Sequence, residues 1–400
     1  MKMKKIVVKE WDYLEGGTIV INGGEETVKV HPNVPRWIVA GNMTRRVNRR
    51  TEGPEKAFVL SITDRCNIRC DFCCHPFQDS ALPDEDCIRM VTEACAADFD
   101  EICVTGGEPY LRRKLIYKLA AICKEHERLF GSISNGFWAK NREKAFFLAK
   151  EMVEHGVARI TFSWDPSHGE FISPQTVQNG VDACMEAGIR VCLTGSFKQK
   201  DDCHENYGID VSAYKEYANF AVVNSLVIPA GWGKSLTDLY HSPISEQEAA
   251  AFRCPAATTQ ELVIYAQDGL VQPCCSVNAG YDMPNLRVGD WRNQSVSELL
   301  DAQQGDGFFR IIVDGGFKLL YEIIEERAPD LYSQLPAPQA CISQCHLCEK
   351  LMTIPDAKRI REICDEYLTE RLIDKITSNQ DVFERLLRLA AVEDQVPLSV

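Results

Sequence analysis

Cys66, Cys70 and Cys73 stand in the order Cys66-Asn67-Ile68-Arg69-Cys70-Asp71-Phe72-Cys73, directly after the apolar run Ala57-Phe58-Val59-Leu60-Ser61-Ile62-Thr63. Three thiolates that close together ask for a metal, and a trio is one ligand short of closing a tetrahedral site. The open position is what separates a catalytic centre from a structural one. The same spacing recurs at Cys341, Cys345 and Cys348. The residues downstream of each copy decide between them. After the first comes a short apolar stretch, Glu101-Ile102-Cys103-Val104-Thr105, running straight into Gly106-Gly107-Glu108-Pro109. Paired glycines at a strand end let backbone approach a ligand with no side chain in the way.

The triplet followed by Gly-Gly-Glu-Pro at the next strand end resembles the radical S-adenosylmethionine (SAM) superfamily, over about Ala57 to Pro229. The resemblance implies that Cys66, Cys70 and Cys73 hold a four-iron, four-sulfur cluster whose fourth iron is chelated by the amino and carboxylate groups of SAM. It also implies a SAM site at successive strand ends. Thr105, Gly106, Gly107 and Glu108 would bind the amino group, and Asn135 and Ser163 would line the ribose or methionine end. After Asp165 the chain departs from the usual pattern: Pro166-Ser167-His168-Gly169 stands where relatives often have a Gly and later an Arg, which leaves the carboxylate contacts of SAM unassigned. A zinc site is the bland alternative. It would want a fourth Cys or His nearby, and the local candidates, Cys74 and His75, read as loop.

The second group of thiols is spread more widely. Cys254 precedes, and Cys274 follows, a hairpin of Glu261–Tyr265 and Leu270–Gln272 turning at Asp268-Gly269, which places the two cysteines at one end. With Cys341, Cys345 and Cys348 this resembles the SPASM or twitch auxiliary-cluster domains appended to many radical SAM enzymes. Counting Cys275, the cysteines available suit one cluster and hardly two. The expected ligands are Cys254, Cys274, Cys345 and Cys348, with Cys341 as substitute; the same four thiols would also suit a structural zinc. Most remaining cysteines fall on helix or strand positions and read as small buried hydrophobes. Cys203 differs, because its polar loop, Lys198 to Gly208, follows the fifth strand on the active-site side. A thiol there could return a hydrogen to a substrate radical.

These residues need a scaffold to bring them together. From Ala57 the pattern is strand, loop, helix, repeated. Helices are expected over Pro83–Ala97, Leu111–Glu127, Arg142–His155, Pro174–Ala187 and Val211–Val222. Strands are expected at Glu101–Thr105, Gly131–Asn135, Ala158–Ser163, Ile189–Thr194 and Val223–Pro229. Near-continuous apolar strands of this kind are buried in parallel sheets, and right-handed crossovers curl such a sheet. The fold class expected is α/β, a partial (β/α)6 TIM-like barrel with ligands at the C-terminal strand ends. The chain divides into four regions: a β-rich extension over 1–52, the barrel over 53–230, a small α+β auxiliary-cluster domain over 231–350, and amphipathic C-terminal helices over 351–400.

Composition narrows the function. The chain has 400 residues, 18 cysteines and a formal net charge of -14. That balance argues against an electrostatic nucleic-acid binder, which needs a basic surface. Met1-Lys2-Met3-Lys4-Lys5 is followed by too short an apolar run for a signal peptide, and no stretch approaches the ~18 apolar residues that span a membrane. Cysteines at cluster spacing, not disulfide spacing, point to a reducing cytoplasm. Family chemistry implies reductive cleavage of SAM to a 5'-deoxyadenosyl radical that takes a hydrogen from the substrate, with electrons from a small-protein or flavin-type donor. The substrate expected is a ribosomally made peptide undergoing modification. A small sugar or aminocyclitol, dehydrogenated or epimerised, is the enzymatic alternative, and an iron-sulfur scaffold or RNA-binding protein the non-enzymatic one.

Overall fold

The computed structural model describes residues 6–12, 16–21, 24–28, 33–34, 55–75, 78–229, 231–236, 245–254, 259–266, 269–274 and 283–378. Ahead of the barrel, in the extension expected to be β-rich, β1 (Ile6–Asp12), β2 (Gly16–Ile21) and β3 (Gly24–Val28) form an antiparallel sheet in sequence order.

Six parallel strands come next: β4 (Glu55–Thr63), β5 (Glu101–Gly106), β6 (Leu129–Ser134), β7 (Val157–Ser163), β8 (Arg190–Phe197) and β9 (Phe220–Leu226), each beside its successor. The crossovers between the first five are α1 (Asp84–Ala96), α2 (Arg113–Glu125), α3 (Arg142–His155) and α4 (Pro174–Ala187). α1 shows why these segments are helical. Cys87, Met90, Val91, Ala94 and Cys95 recur every three or four residues and all are buried, while Asp84, Glu85 and Asp86 fill the first turn, where the helix dipole favours negative charge. Between strands and helices lies the main core, with Phe58, Leu60, Ile102, Val104, Phe130, Ile160, Phe162, Val191 and Leu193 on the helix side of the sheet.

One expected helix is absent. Over Val211–Val222 there is a single tight turn at Ser212–Tyr214, and β9 begins at Phe220. Tyr214 gives its hydroxyl proton to Asp182 of α4 at 3.0 Å and its ring packs on Phe220 at 5.7 Å. With this anchor in place β9 pairs with β8 along seven residues, from Val191 with Phe220 to Phe197 with Leu226. Tertiary pairing outweighs a helical pattern that was only local.

The sheet does not stop at the barrel. β10 (Thr259–Ile264) runs parallel to β4, register Val263 to Val59, and the hairpin continues through β11 (Leu270–Gln272) to β12 (Gly289–Asp290), giving nine strands in the order β12-β11-β10-β4-β5-β6-β7-β8-β9. Beyond it stand α5 (Val296–Gly305), α6 (Gly307–Asp314), α7 (Gly316–Arg327), α8 (Gln344–Thr353) and α9 (Ala357–Thr377), and α6 to α9 enclose a second core of Phe308, Phe317, Leu320, Ile324, Leu347 and Ile360. No helix among the described residues is long and apolar enough to cross a membrane.

Candidate active site

The triplet occupies the loop leaving β4, and that loop is strapped to the ends of the neighbouring strands. On one side the Gly107 N–H donates to the Thr63 carbonyl at 2.7 Å and the Glu108 N–H to the Arg65 carbonyl at 2.8 Å. The two glycines are required for this approach: a Cβ on Gly106 would sit 2.2 Å from the Thr63 oxygen, and one on Gly107 2.2 Å from the Arg65 oxygen. Their first service is therefore to bring backbone against the root of the cysteine loop.

Glu108 is fully buried. One carboxylate oxygen accepts from the Tyr110 N–H at 3.0 Å and the Ser134 hydroxyl at 3.0 Å, and the other from the Asn135 N–H at 2.8 Å. Burial pushes its carboxyl up to about 7, against the pull of those donors. The side chain is thus a bracket joining the ends of β5 and β6. Asn135, so held, gives its amide proton to Asn67 Oδ1 at 2.9 Å and lies 3.9 Å from the Cys66 sulfur. Thr105 and Ser163 are part-buried at their strand ends.

The other half of the loop is tied across the sheet by a residue whose role the sequence did not announce. Asp71, between Cys70 and Cys73, accepts from the Ser167 hydroxyl and pairs with Lys198 Nζ at 2.8 Å. Burial pushes the Asp71 carboxyl up, but the bonds from Lys198 and Ser167 win and hold it below its ordinary value. Ser167 belongs to the one-turn helix Pro166–Gly169, whose cap, Asp165, also accepts from the Ser196 N–H at 3.2 Å. This is where the departure from the familiar pattern leads: the segment after Asp165 clasps the cysteine loop. Trp232 closes the back, its N–H donating to the Cys73 carbonyl at 3.2 Å.

The chemistry of the donors fits an iron-sulfur group. Burial pushes the Cys66 thiol up to about 11 and the Cys70 and Cys73 thiols upward too, and Cys70 is raised further by Cys73 and Cys66. Three desolvated thiols within electrostatic reach of one another ionise only if a cationic centre takes them. Among the described residues no three His, Cys, Asp or Glu side chains converge on a point where one ion could sit. A cubane makes no such demand, because each thiolate goes to a different iron.

The second group divides. Burial pushes the Cys348 thiol well up, and Cys254 and Cys345 push it further, so these three adjoin. Cys254, Cys274 and Cys348 border the second core. Cys341 lies fully buried inside that core, and after burial the charges that move its thiol are those of Lys350 and Glu349, not of another cysteine. Cys275 lies outside the described residues. Cys203 faces Asn206 Oδ1 at 3.3 Å, within its own loop. On the inner face of the barrel Cys103 is buried and Cys192 is part-exposed, the latter in register with Thr161 of β7 and Ala221 of β9, a placement that strand alternation could have revealed.

Residues 60–200 match the radical SAM superfamily, so the strands and loops that carry the first triplet form a radical SAM domain. Among curated proteins, YydG of Bacillus subtilis (strain 168), named for peptide biosynthesis, is 24% identical over 305 residues, covering 74% of this chain and 92% of that protein. The GTP 3',8-cyclase of Rhizobium etli (strain CIAT 652) is 29% identical over 147 residues, 34% of this chain and 41% of that one. Among solved structures, Streptococcus suis SuiB bound to its precursor peptide SuiA aligns with a TM-score of 0.41 at 15% identity, over 82% of this chain and 98% of SuiB.

Proposed function

We propose that this radical SAM enzyme modifies a peptide. The observation that carries the reading is the match to YydG, a protein named for peptide biosynthesis, along 92% of its length, where the cyclase match spans 41% of its partner. The inner face of the barrel supports it. Val59, Cys103, Val263, Tyr265 and Leu270 pack one half dry, whereas Arg159, Thr161 and Ser163 of β7 and Arg190, Cys192, Thr194 and Ser196 of β8 are part-exposed. Thr161, Ser163, Thr194 and Ser196 of this half-wet trough offer hydrogen-bond partners to a peptide main chain.

Cys66, Cys70 and Cys73 would hold the cluster and leave its fourth iron to SAM, which supplies the radical chemistry when bound. The chain's own contribution is placement. Glu108 fixes the ends of β5 and β6, Asn135 stands beside Cys66, and Asp71 holds the far half of the loop to Ser167 and Lys198. Cys254, Cys274, Cys345 and Cys348 would hold a second cluster, and a small-protein or flavin-type donor would supply electrons. The test is anaerobic incubation of reconstituted protein with SAM, a reductant and the short peptides encoded beside its gene. Formation of 5'-deoxyadenosine together with a mass change, or deuterium uptake from heavy water, in one peptide is the expected result. SAM cleavage stimulated by an aminocyclitol and by none of the peptides would overturn the peptide reading.

A further inference from the structure

The two cysteine sites are joined through one short segment. Gly231–Ser235 forms a tight helical turn after β9, closed by the Ser235 hydroxyl donating to the Trp232 carbonyl at 2.8 Å and by the Leu236 N–H donating to the Gly233 carbonyl at 3.2 Å. At one end Trp232 donates its N–H to the carbonyl of Cys73, the third thiol of the barrel loop. The Trp232 side chain is 51% exposed, so the main chain makes this hold. In the middle Gly233 is buried, and a Cβ there would lie 2.9 Å from the Ile228 carbonyl and 3.6 Å from Phe72, the residue preceding Cys73. At the other end Lys234 pairs with Glu349 at 3.0 Å, and Glu349, its side chain 7% exposed, is the residue after Cys348.

The geometry points to Gly231–Ser235 as a strut that sets the position of the second metal centre relative to the first, with Lys234 and Glu349 as its positioning pair. The inference rests on the reading that Cys254, Cys274, Cys345 and Cys348 hold a second cluster. Its physical basis is the rank of the contacts. A carboxylate taken this far out of water needs its cation, so the buried end of the pair is firmly held. A backbone hydrogen bond and a close glycine contact leave the barrel end little play. Groups that hold a metal ligand's own segment from outside orient that ligand and tune the metal. Here one turn does so for two sites.

The experiment uses the full-length, anaerobically reconstituted protein and its Lys234→Met, Glu349→Gln and exchanged Lys234→Glu/Glu349→Lys variants. Iron per chain is measured first, then the magnetic interaction between the reduced clusters by pulsed electron paramagnetic resonance, and last the rate of iron loss to a chelator. The expected result is about eight irons in the parent. Each single variant then shows a broadened inter-cluster interaction and roughly 10-fold faster iron loss, partly restored in the exchange. A fall to about four irons in Glu349→Gln alone also supports the strut, because that change leaves no buried charge unpaired and the half-exposed Lys234 stays hydrated. About four irons in the parent would overturn the second-cluster reading and the strut with it. Full iron with parent-like coupling and parent-like iron loss in both single variants would overturn the strut alone.

Discussion

The two cysteine sites are built in opposite ways. The first is a single loop, Cys66 to Cys73, whose proposed ligands are neighbours in sequence and whose position is set by backbone contacts with the end of β5 and side-chain contacts from beyond β6, β7 and β8. The second, as proposed, would be gathered from separate segments at Cys254, Cys274 and Cys345 to Cys348, beside a helical core of its own. A local site keeps its ligand spacing whatever the rest of the chain does. A gathered site exists only once its core has formed, and the metal then shares in stabilising that core.

The largest effect is expected at the local site. Replacing Cys66, Cys70 and Cys73 together with Ala removes about four irons per chain and abolishes 5'-deoxyadenosine formation, measured by chromatography, while the second site keeps its own metal. Replacing Cys345 and Cys348 with Ala runs the comparison the other way: SAM cleavage persists, product formation stops, and the thermal melt falls because metal binding contributes folding energy. If that variant also loses SAM cleavage while folded, the two sites are not independent. Iron assay separates the possibilities, since about four irons plus one zinc in the parent would make the second site structural.

Smaller effects probe how the loop is held. Gly107→Ala drives a Cβ into the Arg65 carbonyl, and the backbone shift needed costs about 1–3 kcal/mol in a denaturant titration and loosens the loop. Glu108 adds a pH dependence. Its native carboxyl titrates at about 7 against 4.5 for an unperturbed Glu, so the native state binds the extra proton between those values. Stability contributed below pH 4.5 is lost as pH rises through 7, by about 3 kcal/mol if the whole shift is expressed. In Glu108→Gln this slope disappears, and the variant is weaker at every pH because one amide oxygen cannot serve three donors. The smallest effect is expected at Cys203: Cys203→Ala retains SAM consumption and product yield, as its thiol faces only its own loop among the contacts described. Loss of an epimerised product in that variant would make the thiol a hydrogen donor after all.

The contrast also explains why some features were legible beforehand. Cys66, Cys70 and Cys73 announced themselves because their spacing is the site. Cys254 with Cys274 came from a hairpin, a local turn signal, and the barrel strands from their apolar runs. The features that escaped have their cause elsewhere in the chain. Asp71 sits inside the motif yet takes its meaning from Ser167, 96 positions away, and from Lys198. The Lys234–Glu349 pair joins the two ends of the 231–350 region, a contact that no local pattern marks. The helix expected over Val211–Val222 failed for the same reason, since Asp182 and Phe220, not the local pattern, decide what Tyr214 does. The glycines of the Gly-Gly-Glu-Pro stretch were recognised as points of close approach, but the nearest thing approached is the chain's own loop.

The pairing of β10 with β4 gives the sheet a timetable. During synthesis β4 and the loop bearing Cys66 emerge early, but the strand that covers the β4 edge lies nearly 200 residues further on, roughly 10 to 40 s later at ribosomal speeds. For that interval Phe58, Val59 and Leu60 form an open apolar edge, the kind that recruits other chains. A chain cut short after residue 230 would keep that edge permanently and aggregate, although it retains every residue of the first cysteine site.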